Sequence, residues 1–87
     1  MRFNMNREDV LPGVISAIKT ARDSEADFQI NDSLVDDLKM DSLGFVELCT
    51  GLEDTFNIDV DESVYNKLKT VEDVIELVMN SPQYEDA

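Results

Sequence analysis

Apolar residues spaced i, i+3, i+4 and i+7 recur near both ends of this chain. Leu11, Val14, Ile15 and Ile18 form the first set, and Val71, Val74, Ile75 and Val78 form the last. At about 100° per residue this spacing gathers side chains on one face of an α-helix. A strand cannot use it, because a strand buries every second residue. No useful run of alternating apolar and polar residues and no internal repeat occurs in the 87 residues, so the predicted class is all-α.

The first helix takes in Ala21 and is expected to start near Asp9, because an N-cap there leaves Pro12 among the amides that have no helical partner. Residues 22–41 show no sustained period and read as a long loop, pinned to the core by Phe28, Ile30, Leu34, Val35 and Leu38. A second helix is predicted from Ser42 to Phe56. On its wheel Phe45, Leu48, Cys49, Leu52 and Phe56 form one buried stripe. Leu43, Val46, Glu47, Thr50 and Asp54 lie opposite, a mixed apolar and acidic face. Asp61 or Ser63 opens a short helix ending near Leu68, on which Tyr65 is expected as a partly exposed ring. Thr70 with Asp73 makes a capping box for the last helix, which stops at Asn80, Ser81 and Pro82. The expected architecture is a small four-helix bundle with a long loop between helices 1 and 2 and a short third helix. One domain spans 1–87, with a folded core at about 7–80 and a frayed tail at 81–87.

Charge narrows the function. Twenty acids against seven bases give a net charge of −13, which repels phosphate backbones and anionic lipid, so neither nucleic acid nor membrane is an expected partner. With no histidine and a single cysteine, Cys49, the chain cannot assemble a Ser-His-Asp triad, a disulfide or a Cys/His zinc site by itself. It is not expected to be an enzyme. Cys49, on the buried stripe, reads as a small core residue. No apolar run reaches membrane-span length, and a cytoplasmic monomer is expected. Residues 31–62 hold ten acids and one base, Lys39. A solvated acidic face accounts for them simply. An EF-hand does not, because none of the three glycines has acidic or amide residues at all the required positions before it. Loose divalent binding by Glu53, Asp54, Asp59 and Asp61 is the remaining metal expectation.

At the junction of long loop and second helix stands Asp36-Asp37-Leu38-Lys39-Met40-Asp41-Ser42-Leu43-Gly44-Phe45-Val46-Glu47-Leu48. Here the chain resembles the acyl carrier protein family, and the likeness continues through Leu52-Glu53, Phe56, Val60, Lys67-Leu68 and Thr70-Val71. The resemblance implies that Ser42 accepts 4'-phosphopantetheine from coenzyme A, with Asp41 beside it. Either residue can cap the helix. It also implies docking of Leu43, Val46, Glu47, Thr50 and Asp54 onto basic patches of a phosphopantetheinyl transferase and of acyl synthases, transferases or ligases. Gly44, Thr50 and Tyr65 depart from residues common in the family. Gly51 is expected to open space for a cargo between the second and third helices, and Tyr65 to close it. An Asp-Ser-x-Gly pattern also occurs in D-alanyl carriers, and peptidyl carriers share the bundle. An acidic interaction module, such as a nucleic-acid mimic or a calcium-responsive adaptor, is the alternative of another class; it needs the acids but not Ser42.

Overall fold

The computed structural model describes residues 6–81. Of the tail expected to fray, 81–87, only Ser81 lies among them, and it is not frayed: it caps α3, its amide donating to Val78 O and its hydroxyl to Leu77 O. The described residues form three α-helices, α1 (Arg7–Ala21), α2 (Ser42–Phe56) and α3 (Val71–Asn80), with a 3-10 helix (Glu62–Lys67) between α2 and α3. The all-α expectation holds, but a bundle of four α-helices does not. The third element spans six residues, too few to offset the cost of α-helix nucleation, and it closes with i→i+3 bonds from Val64 N to Asp61 O and from Leu68 N to Tyr65 O.

α1 begins earlier than expected. Asn6, not Asp9, is the N-cap, and the two form a reciprocal capping box in which each side chain accepts from the other's amide. Pro12 therefore sits inside the helix and deprives the Glu8 carbonyl of its donor. Both residues face outward, where water can serve that carbonyl, so two satisfied amides at the start outweigh one lost bond. The inward face is also rotated. Val10, Val14, Ala17, Ile18 and Ala21 are buried, whereas Leu11 and Ile15 are half-buried.

α1 packs against both α2 and α3. Val14 and Ile18 meet a core made with Leu48 and Leu52 of α2 and Val71, Val74, Ile75 and Val78 of α3, all fully buried. Each such side chain contributes about 1.5–3 kcal/mol through the hydrophobic effect. Leu34 and Leu38 of the long loop are buried as expected, joined by Met40, and Phe28 is partly so. Ile30 and Val35 remain exposed, at 44% and 54%. Backbone bonds hold the loop instead: Asp32 O accepts from Val71 N at 3.2 Å, Ile30 O from Glu72 N at 2.8 Å, and Lys69 O from Leu34 N at 2.9 Å. Loop carbonyls thus satisfy first-turn amides of α3, and the loop that precedes α2 is fixed to the opposite helix.

Candidate functional site

The site grows from the first turn of α2. Asp41, in extended conformation, is the N-cap, and its Oδ1 accepts from Gly44 N at 2.8 Å. Capping thus falls to the aspartate, and the Ser42 hydroxyl stands exposed at the first helical position. α1 and α3 each place two acids in their first turn, Glu8 with Asp9 and Glu72 with Asp73. The first turn of α2 carries none. At α3 the leading amides are taken by the loop and the cap. None of the described hydrogen bonds uses the Ser42 or Leu43 amides. The helix start therefore offers free donors and the positive end of its dipole to an anion, an advantage of about 0.3–1 kcal/mol.

Gly44 is buried against Met40 and the cap: a Cβ there would lie 2.8 Å from Met40 Cγ and 3.3 Å from the capping Asp41 Oδ1. A larger residue would press on the cap itself. The loop reaches this turn through Lys39, whose φ of 58° lies in the left-handed region, at a cost of about 1–2 kcal/mol for an L-residue. Bonds on both sides hold it there, from Leu38 N to Ser33 O and from Met40 N to Leu34 O.

The rest of α2 follows its two-faced wheel. Leu48, Cys49, Leu52 and Phe56 are buried and Phe45 is half-buried, while Leu43 (64%), Val46 (47%), Glu47, Thr50 and Asp54 are exposed. Burial pushes the Cys49 thiol up from its ordinary pKa, against a weaker opposing effect of its hydrogen bond with Tyr65. It is a core cysteine. Tyr65, half-buried, stacks on Phe45 with ring centroids 6.5 Å apart. Gly51 does not open space toward the 3-10 helix. A Cβ there would sit 3.7 Å from that of Ala17, so Gly51 belongs to the α1–α2 contact.

Of the four acids expected to share a cation, Glu53 and Asp61 are engaged in backbone hydrogen bonds. Glu53 Oε2 accepts from Val60 N at 3.1 Å, tying the end of α2 to the next segment, and Asp61 caps the 3-10 helix through Ser63 N at 3.0 Å. Asp54 and Asp59 are exposed. Among the described residues, no group of three or more metal-capable side chains converges. No helix there is long and apolar enough to cross a membrane.

Beside Ser42 lies a groove that the helical wheel does not reveal, since its walls come from α1, the loop and α2 together. Its lining includes Arg22, Leu38, Lys39, Met40 and Leu43. The available signal was Lys39, the lone base in the acidic run 31–62.

Residues 14–78 match the family model described as a phosphopantetheine attachment site. The chain is 31% identical to an acyl carrier protein of Acidothermus cellulolyticus over 88% of its own length and 93% of that relative's. It is also 31% identical to an acyl carrier protein of Thermosynechococcus vestitus, over 87% and 95% of the two lengths. A shorter match, 50% identical over 46 residues, covers 53% of the chain and 60% of an acyl carrier protein of Desulforapulum autotrophicum. The group implied, 4'-phosphopantetheine, joins its protein through a phosphodiester, and an exposed hydroxyl at a helix start with unused amides and no first-turn acid fits it. The match over residues 14–78, with full-length relatives of the same kind, makes this chain a phosphopantetheine carrier of the acyl carrier protein family.

Proposed function

We propose that Ser42 is the attachment residue and that the chain carries acyl groups as thioesters on the terminal thiol of the arm, presenting them to fatty acid, lipid or polyketide biosynthetic enzymes. The observation that carries the reading is the division of labour at α2: Asp41 caps the helix and leaves the adjacent serine hydroxyl exposed at the positive end of the dipole. The group supplies a flexible tether and a thiol for thioester exchange. The chain supplies placement. Asp41 fixes the helix start, Gly44 leaves room for Met40 beside the cap, and Leu43, Val46, Glu47, Thr50 and Asp54 present a contact face along the same helix. Its partners on this reading are a phosphopantetheinyl transferase and cytoplasmic acyl synthases, transferases or ligases with basic docking patches, which visit a carrier that performs no chemistry itself. Complementary charge would speed their encounter. Intact-mass analysis of the protein from its native host tests the cargo. A phosphopantetheine adduct extended by an acyl mass supports the acyl reading, and an aminoacyl or peptidyl mass replaces it.

A further inference from the structure

Ser42 begins α2, so a cargo on its arm reaches the interior of the bundle along one of the two long sides of that helix. With Ser42 at 0° on the α2 wheel, Phe45 and Cys49 fall at about 300° and 340°, and the inward line from the serine passes over these two residues. Both are covered from the 3-10 helix. The Tyr65 ring stacks on Phe45 with centroids 6.5 Å apart and planes inclined at 28°. The same side chain is hydrogen-bonded to that of Cys49, which is 2% exposed. One tyrosine therefore closes both the half-buried ring and the buried thiol beneath it.

The other side of α2 is shut by close approach. A Cβ on Gly51 would stand 3.7 Å from Ala17 Cβ, and one on Gly13 would stand 2.5 Å from Cζ of Phe56. These two glycines bring α1 and α2 into contact and leave no width for a chain. Behind both sides, Leu48 and Leu52 are fully buried in one cluster with Val74 and Ile75 of α3. An added chain must therefore displace a side chain that is already packed, which is destabilising. Entry beside α1 would require two helices to separate. Entry beside the 3-10 helix would require only Tyr65 to turn out, since it is half-buried on an element of six residues.

We propose that this carrier holds its cargo outside the bundle, that Tyr65 is the specificity-determining residue that keeps it there, and that the cargo is accordingly a short or polar acyl group. The inference rests on attachment at Ser42. A long apolar chain left in water keeps its whole apolar surface exposed, whereas a short or polar one needs no shelter. Cargo carried in this way is open to a partner at all times, and no step of withdrawal from the bundle precedes its transfer.

The test uses the full chain loaded from butyryl- and octanoyl-coenzyme A by a broad-specificity phosphopantetheinyl transferase. Intact mass first reports one acylated group on wild type and none on Ser42→Ala; a wild type that takes no group at Ser42 overturns the attachment reading and this one with it. Cleavage of the thioester by hydroxylamine and ¹H–¹⁵N spectra then locate the cargo. In the wild type the two thioesters should be cleaved at equal rates, and the amide signals of Phe45, Leu48 and Cys49 should coincide in the two forms. In Tyr65→Ala the octanoyl thioester should be cleaved roughly fourfold or more slowly than the butyryl one, the factor that one buried methylene supplies, and the three signals should shift. Tyr65→Phe, which keeps the ring, should behave as the wild type. Slower cleavage of the octanoyl wild type, or a shift of its Cys49 signal, overturns the proposal whatever the variants do. A Tyr65→Ala protein with unchanged helical circular dichroism and no protection of the octanoyl thioester overturns the assignment to Tyr65.

Discussion

Asp41 and Ser42 are both good N-cap residues, and the sequence alone leaves either free to cap α2. Geometry separates them, because the Asp41 carboxylate reaches Gly44 N at 2.8 Å. Asp41→Ala should therefore cost about 1 kcal/mol of folding stability, and Asp41→Asn should retain most of it. Urea denaturation of the three proteins checks this, and equal midpoints for Asp41→Ala and wild type would contradict it. The resemblance pointed to Ser42, but its exposure and its release from capping are properties of the folded turn. Lys39 was less legible. Its charge stands out in an acidic run, yet its left-handed backbone follows from loop bonds to Ser33 and Leu34 that no local pattern encodes.

At the scale of elements, α2 is the best written of the helices. Its bounds, buried stripe and exposed face all follow from residue spacing, because its apolar positions are unbroken by proline and its end is marked by Asn57 in left-handed conformation. In α1 two local signals conflict: Pro12 favours a late start, and the Asn6–Asp9 capping box fixes an early one. The long loop is legible from its lack of period, but its anchors are only partly so, since backbone bonds to α3 hold it and leave Ile30 and Val35 exposed. The exposed face of α2 carries the second prediction. Glu47→Lys with Asp54→Lys should slow loading by a phosphopantetheinyl transferase at low salt while leaving helical circular dichroism unchanged, because surface charge sets encounter rate more than affinity. A loading rate equal to wild type would remove these acids from the docking face.

For the whole molecule, a net charge of −13 on 87 residues opposes compaction. Exposed charges about 10 Å apart are largely screened at 0.1 M ionic strength, so the melting temperature should rise from dilute buffer to 0.1 M NaCl. It should rise further in CaCl₂ or MgCl₂ of the same ionic strength, because a divalent ion shared by carboxylates binds the folded state better than the unfolded chain. Thermal melts in the three solutions check this, and equal midpoints would show the acids to be energetically silent in folding. On the proposed reading Ser42, and no other hydroxyl, takes the arm. Incubation with coenzyme A, Mg²⁺ and a broad-specificity phosphopantetheinyl transferase, read by intact mass, tests it most directly. One phosphopantetheine on the wild type and none on Ser42→Ala is the predicted result, and undiminished modification of Ser42→Ala would contradict it.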